Sequence, residues 1–185
     1  MSTNELIQRR AAMMQSRSGG IDWETLCKGI LSGEISTINI PEGVTKLRGN
    51  ALSGTQATTI TLPSTLTTLT GAGWQLAANT NLVNLDLGTG LTSISSSMLR
   101  GCTSLKDVIL PAQVTYIDYV AFYGLRNWTL TLLRAEGVVN KHSVLWDEAP
   151  IAIYVPDALV ATYQASTAWK NYASIITPIS EKPTT

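Results

Sequence analysis

The sequence repeats itself about every 23 residues. Six segments align on one aliphatic residue, usually followed by proline, with spacings of 22, 25, 23, 23 and 22 residues. These anchors are Ile40, Leu62, Leu87, Leu110, Leu133 and Val155. Self-similarity at this period predicts a solenoid, in which each repeat forms one coil and buries its apolar side against its neighbours. A solenoid exposes an extended surface, so a binding or structural role is expected rather than catalysis.

The fourth repeat, Leu105 to Leu125, shows how one coil is expected to fold. Its first part alternates as a short strand, with Val108 and Leu110 pointing inward. Pro111 ends the strand, because proline has no N–H for the ladder. Ala121-Phe122 forms a second inward pair, whose counterparts in the earlier repeats are taken to be Ala51-Leu52, Trp74 and Met98-Leu99. The fifth repeat loses most of the pattern after its strand.

Composition excludes several classes of function. The chain has 185 residues, with 13 Lys and Arg against 13 Asp and Glu, so it lacks the basic footprint of a nucleic-acid-binding protein. No apolar run reaches the length of a membrane span, and no apolar segment of a secretory signal follows the first arginines. Synthesis in the cytosol is therefore expected. Cys27 and Cys102 have no metal-binding or disulfide spacing, and Cys102 is expected to be a buried free thiol.

The chain is expected to divide into four parts. Residues 1–20 form an N-terminal docking arm, and 21–33 form a capping helix that begins at Asp22. The repeats occupy 34–157. Residues 158–185 form a helical C-terminal cap and tail, in which Leu159, Tyr163 and Trp169 share an apolar face. Caps are needed because the terminal coils have no neighbour to cover them.

Two segments carry a family resemblance, SLKDVILPAQVTYIDYVAFYGL and NLVNLDLGTGLTSISSSMLRGC. They resemble the BspA-like leucine-rich repeat family, also called the Treponema pallidum type, and the ending IYVPDALVATYQASTAWKNYASIITPI is similar to the family's terminator. The resemblance implies an α/β solenoid, a leucine-rich-repeat right-handed superhelix with short parallel strands and helical caps at both ends. Members include surface adhesins, secreted proteins of gut and oral bacteria, and proteins of their phages.

The arm that precedes the repeats resembles short N-terminal arms of small structural proteins in phages and prophages of gut bacteria. On a helix its apolar and arginine side chains would align for docking on a partner. The residues expected to do so are Leu6, Ile7, Arg9, Arg10, Met13 and Met14. A disordered, solubilising tail is the alternative reading.

The outward positions of successive strands are the second candidate site. They are Thr37, Asn39, Thr59, Thr61, Asn84, Asp86, Asp107, Thr129 and Thr131. Stacked at about 4.8 Å per coil, they would form one continuous polar face. This face would recognise a glycan or a protein, or it would simply be a soluble β surface.

No catalytic constellation is evident. His142 is the only histidine and has no triad-like setting, and Asp147-Glu148 is expected to be solvated charge. No cofactor, metal, nucleic acid or membrane partner is expected. The leading hypothesis is a non-enzymatic virion protein, a head or tail fibre or decoration component made in the host bacterial cytoplasm. Its arm would bind other virion proteins, and it would form a homo-oligomer where the assembly requires one. A surface or secreted bacterial adhesin is the alternative.

Overall fold

Short parallel strands recur once or twice in every coil. The computed structural model describes residues 36–70 and 74–184. In that part of the chain the strands are β1 (Thr37–Asn39), β2 (Lys46–Arg48), β3 (Thr59–Thr61), β4 (Thr68–Thr70), β5 (Asn84–Asp86), β6 (Ser93–Ile94), β7 (Asp107–Leu110), β8 (Tyr116–Ile117), β9 (Thr129–Leu132), β10 (Asn140–Lys141), β11 (Ala152–Val155) and β12 (Ile176–Pro178). The coils are numbered one to six by the strand that opens each: β1, β3, β5, β7, β9 and β11.

The coils stack so that each position meets its counterpart one repeat away. Strands β1-β3-β5 form one parallel sheet and β7-β9-β11-β12 another, and together they make one side of the solenoid, here named the strand face. Strands β2-β4 and β10-β8-β6 line a second side. A third side has no strands, but its turns are joined by backbone hydrogen bonds such as Leu99 N to Ala121 O at 2.9 Å. The expected solenoid of short parallel strands is confirmed.

The core runs along the axis of the stack; it is largely aliphatic in the first three coils and includes aromatic side chains from Phe122 of the fourth coil onward. The middle residue of each opening strand points inward and meets its counterpart in the next coil, as Val108 meets Leu130 and Leu130 meets Ile153. All three are fully buried, as is the anchor Leu110. Burying one such side chain contributes roughly 1.5–3 kcal/mol, and stacking is what makes that burial possible. Cys102 is buried and unpaired, as expected.

The second repeat differs from the sequence interpretation at Trp74. The backbone N–H of Leu52 binds the carbonyl of Gln75, and Leu76 binds Met98 in the same way, so Gln75-Leu76 is the inward pair of this coil. Gln75 and Leu76 are buried, whereas Trp74 is exposed. The assignment of Trp74 to the inward position was therefore wrong, because the longer repeat shifts the pair by two residues relative to the anchor Leu62.

The C-terminal segment closes the stack with aromatic side chains. It contains a 3-10 turn (Asp157–Leu159), helix α1 (Val160–Ala165), a second 3-10 segment (Lys170–Ile175), strand β12 and a last 3-10 turn (Ile179–Glu181). Tyr163 and Trp169 are fully buried against the fifth coil. The hydroxyl of Tyr163 accepts from Val139 N at 3.1 Å, and Trp169 Nε1 donates to Val139 O at 2.6 Å. The cap thus binds both backbone groups of a residue at the open end of the stack, which would otherwise be buried without partners.

Two predicted segments, the docking arm 1–20 and the capping helix 21–33, lie outside the described residues. No helix in the described ranges is long and apolar enough to cross a membrane.

Candidate functional site

The strand face brings the predicted polar residues into two rows. One row places Thr37 beside Thr59 and Thr59 beside Asn84, and the row next to it places Asn39 beside Thr61 and Thr61 beside Asp86. Further along the stack, Asp107 pairs with Thr129. Four of these side chains are exposed and four are half-buried. The ninth, Thr131, is buried and is treated below.

The strand face is divided between the third and fourth coils. Within the described residues, no ladder and no backbone hydrogen bond joins β5 to β7. In the first half of the face, Leu62 N donates a hydrogen bond to Asp86 O at 2.9 Å. The equivalent bond between the third and fourth coils would run from Leu87 N to Ile109 O. That bond is absent, although the other two sides connect these coils, as in Asp118 N to Ile94 O at 2.9 Å. The division is therefore confined to the strand face.

Two glycines explain why the third coil departs from the fourth. Where four of the other five repeats have a proline after the anchor, this one reads Leu87-Gly88-Thr89-Gly90-Leu91. A Cβ on Gly88 would lie 2.7 Å from the carbonyl oxygens of Leu62 and Pro63, and one on Gly90 would clash with the backbone of Leu66. The third coil thus approaches the second more closely than any side chain would allow. We infer that this approach draws β5 away from β7.

The division forms a groove across the strand face, with an apolar centre and a polar rim. Two adjoining cavities of about 250 and 350 Å³ share Leu85, Asp86 and Ile109 in their walls. Leu85 is half-buried, unlike the fully buried residues at the equivalent position in the other coils, because the groove uncovers it. Further lining comes from Thr59, Thr61, Val83, Asn84, Asp107, Thr89 and Leu133. Five of the nine predicted face residues therefore line the groove: Thr59, Thr61, Asn84, Asp86 and Asp107.

A lysine from the C-terminal tail covers part of the face beside the groove. Lys182 Nζ donates to Asp107 Oδ2 at 2.6 Å and to Thr131 Oγ1 at 2.9 Å, and it lies 5.7 Å from the centre of the Tyr154 ring. Thr131 is only 1% exposed as a result. The prediction of Thr131 as an exposed contact residue was wrong. The C-terminal tail folds back over β9, and Lys182, which lies 51 positions after Thr131 in the sequence, covers its side chain.

The two aspartates on this face are held in different ways. Asp86 Oδ1 accepts from Gly88 N at 2.8 Å, which fixes the turn after β5, and the side chain remains exposed. Asp107 accepts from Lys182 and from Thr129 Oγ1 at 2.7 Å. A new ligand at Asp107 must therefore displace a lysine, whereas Asp86 is open at the rim.

Sequence reasoning missed the groove itself. In the repeat pattern Leu85 is equivalent to the buried Val108, and Lys182 falls in the predicted cap and tail, for which no contact with the strand face was predicted. The available signal was the replacement of the usual proline by Gly88, with Gly90 two residues later. A glycine pair at a position where a side chain is normally present marks a close backbone approach.

The residues considered for chemistry have structural partners. Arg126 Nη2 binds Asp147 Oδ2 at 2.5 Å and its Nε lies 3.2 Å from Glu148 Oε1, so the carboxylates are paired rather than only solvated. The bond to Arg126, and after it the Gly124 N–H, hold the pKa of Asp147 well below its usual range. His142 Nδ1 accepts from Val144 N at 3.2 Å. In the described residues no three His, Cys, Asp or Glu side chains are grouped to hold a metal ion.

Burial makes Cys102 unreactive. Its thiol lies 3.2 Å from the carbonyl oxygen of Leu76, and burial raises its pKa to about 11. The thiolate needed for nucleophilic attack is therefore scarce at neutral pH.

Comparison with known proteins agrees with the repeat fold. A family model described as the BspA type leucine-rich repeat region, in six copies, matches residues 31–134, more than half of the chain. A leucine-rich cell surface protein from Faecalibacterium prausnitzii A2-165 superposes with a TM-score of 0.50 at 16% identity, over 62% of this chain and 33% of that protein. The chain thus spans about a third of that protein's length, and the likeness is one of fold. No curated protein matches the sequence.

Proposed function

Since the chain belongs to the BspA type leucine-rich repeat family, we propose that it is an interaction protein that recognises a partner on its strand face. The groove between β5 and β7 is the centre of that contact. The rest of the face, with its short threonine and asparagine side chains, forms a flat polar rim. This arrangement of an apolar centre within a polar rim is the usual anatomy of a protein interface.

The observation that carries the proposal is the pair of open strand edges. Leu87 N and the carbonyl of Ile109 face a gap that, in the rest of the stack, a backbone hydrogen bond closes. Open strand edges bind extended chain segments, whose alternate side chains enter pockets. Because Cα atoms of β5 and β7 still lie within 8 Å of each other, and an inserted strand needs about 9.6 Å, the segment is expected to lie over the groove and not between the two strands. Leu85 and Ile109 offer an apolar surface for those side chains. The proposed ligand is therefore an extended segment of a partner protein.

A role in binding also agrees with the chemistry of the described residues. Asp147, Glu148 and His142 have their own partners, and the groove is lined by aliphatic, proline, threonine, asparagine and aspartate side chains without a histidine or cysteine. We therefore propose a non-enzymatic function.

For the biological setting we propose a cell surface or virion surface. The Faecalibacterium protein with the same fold is described as a cell surface protein, which supports the first setting. The resemblance of residues 1–20 to arms of phage structural proteins supports the second. Proteomics of purified virions and of surface-labelled cells separates them, because a virion component co-purifies with particles and an adhesin is labelled on intact cells.

Binding to intact cells tests the proposed site. Fluorescently labelled protein is added to epithelial cells and to bacterial cells, before and after treatment with trypsin. We expect saturable binding that trypsin abolishes and that Ile109→Arg weakens about tenfold or more, since the longer, charged side chain of arginine would obstruct the groove. Val144→Arg is the matched control, because Val144 is 43% exposed and Ile109 41%, but Val144 lies outside the groove.

Two results would contradict the proposal. Equal binding by both arginine variants would remove the groove from the contact. Binding that survives trypsin but is lost after glycosidase treatment would make the ligand a glycan on the polar rows of the face.

A further inference from the structure

A second surface, on the side of the solenoid where the described residues form no strands, contains an arginine close to two aromatic rings. The Cζ atom of Arg100 lies 4.9 Å from the centre of the Trp74 ring and 5.0 Å from that of Tyr123. The three residues come from the second, third and fourth coils. Arg100 and Tyr123 occupy equivalent positions, because Gly101 N binds Tyr123 O just as Ala78 N binds Arg100 O.

The guanidinium of Arg100 is positioned but has no acceptor. Among the described residues, Arg100 has no ion pair and no side-chain hydrogen bond, whereas Arg126 is bound to two carboxylates. Both rings lie within cation–π distance of the guanidinium, and its N–H donors have no acceptor among the described residues. A guanidinium held in this way is suited to a bidentate bond with a carboxylate, since its orientation is already fixed.

The rings beside Arg100 remain partly exposed, Trp74 to 37% and Tyr123 to 39%. Trp74 also adopts a left-handed backbone conformation, with φ of 67°, which is unfavourable for a residue with a large side chain. The equivalent residues of the next two coils, Ser97 and Val120, also have a left-handed backbone, with φ of 57° and 46°, so this conformation belongs to the turn of the repeat and places the Trp74 ring beside Arg100. Trp74 was also the residue whose position the sequence misassigned.

We propose that Trp74, Arg100 and Tyr123 form a binding site for an acidic sugar, with the sugar carboxylate on the edge of Arg100 and the ring on the exposed aromatic surface. Because Arg100 has no carboxylate partner among the described residues, an anionic group is the ligand that complements it. The backbone ladder is closed at this side, from Leu76 N to Met98 O and from Leu99 N to Ala121 O, so an extended peptide would gain no backbone hydrogen bonds here. A single arginine in a chain of zero net charge is too little for a polyanion such as nucleic acid.

The site is tested on the full chain by NMR, using the Nε–H signal of Arg100. The probes are sialyllactose, which carries a carboxylate, and lactose, which does not. We expect sialyllactose to shift the Arg100 signal saturably with a dissociation constant of about 1 mM or tighter, and lactose to leave it unchanged. Arg100→Gln should weaken binding about tenfold or more, while Arg134→Gln, which removes a guanidinium elsewhere, should not.

Arg100→Lys provides a second variant that keeps the charge and the length of the side chain. We expect it to weaken binding as well, because an ammonium cannot form the two parallel bonds of a guanidinium. The proposal is overturned if sialyllactose leaves the Arg100 signal in place, or if lactose shifts it equally. It is also overturned if a glutamate-rich peptide binds while sialyllactose does not, since the site would then serve an acidic protein segment.

Discussion

Residues one repeat apart in the sequence are neighbours in the structure, and polar side chains use this spacing. Glu42 accepts from Ser64 N and Ser64 Oγ, both at 2.9 Å, and Asp147 accepts from Gly124 N at the same distance. Each carboxylate thereby binds backbone of an adjacent coil. In Glu42 these bonds, the Ser64 N–H first, lower the pKa of the carboxyl.

The bonds of Asp147 predict a dependence of stability on pH. A carboxylate whose pKa is lowered in the folded protein contributes stability above its unfolded pKa of about 4, and the contribution is lost as the pH falls through the folded value. Asp147 and Arg126 are partly exposed, so the contribution is about 1 kcal/mol or less. Urea unfolding of the parent and of Asp147→Asn should differ most above about pH 4 and converge at lower pH. A difference that is constant over this range would contradict the assignment.

At the scale of one residue, sequence predicts burial better than it predicts polar contacts. The alternation of apolar and polar residues correctly predicted that Val108 and Leu110 lie in the core, because successive side chains of a strand point to opposite faces of the sheet. The ion pair of Arg126 with Asp147 could not be derived in the same way, since long side chains have many rotamers. Trp74 was misassigned because the second repeat is longer than the others and two alignments of its inward pair are possible.

At the scale of elements, the glycine pair in the third coil is the feature with the largest consequence. Gly88 has a φ of 62°, as does Gly54, but only at Gly88 would an added Cβ meet another backbone. Alanine at either position has the same unfavourable φ, and at Gly88 it has a steric clash in addition. We therefore expect Gly88→Ala to lower the free energy of unfolding by about 1–3 kcal/mol more than Gly54→Ala, as measured by chemical denaturation.

A result in which the two alanine variants are equally stable would contradict the close approach of the second and third coils. It would also remove the physical reason for the open edge between β5 and β7. The strands themselves were predictable from sequence because the aliphatic pattern repeats in each coil. The separation of β5 from β7 was not predictable, since we attribute it to the absence of side chains at Gly88 and Gly90.

At the scale of the whole molecule, the solenoid is closed at its C-terminal end and has a predicted docking arm at its other end. Removal of residues 1–20 should leave the melting temperature of the repeats nearly unchanged and abolish assembly into a larger particle, because the arm is predicted to contact a partner and not the core. Thermal unfolding and sedimentation of the truncated chain check both parts. A collapse of the melting temperature would assign the arm to the N-terminal cap.

The repeat period was sufficient to predict the overall architecture, because a coil that cannot bury its own apolar side must stack. It could not predict the path of the C-terminal tail. Lys182 reaches Asp107 and Thr131 across three strands of the face, and nothing in a periodic pattern specifies contacts made by residues outside it. The two proposed binding surfaces therefore lie at departures from the repeat: a glycine pair and a returning tail at the strand face, and a longer second coil at Trp74.

The most direct test of the open strand face is the hydrogen exchange of two amides in the free, full-length protein. Leu62 and Leu87 occupy equivalent positions and are both 2% exposed, but only Leu62 N has an acceptor, the carbonyl of Asp86. We predict that the Leu87 amide exchanges at least about tenfold faster than the Leu62 amide, since exchange requires that a hydrogen bond first be broken. Equal protection of the two amides would show that β5 and β7 are paired and would contradict the proposed groove.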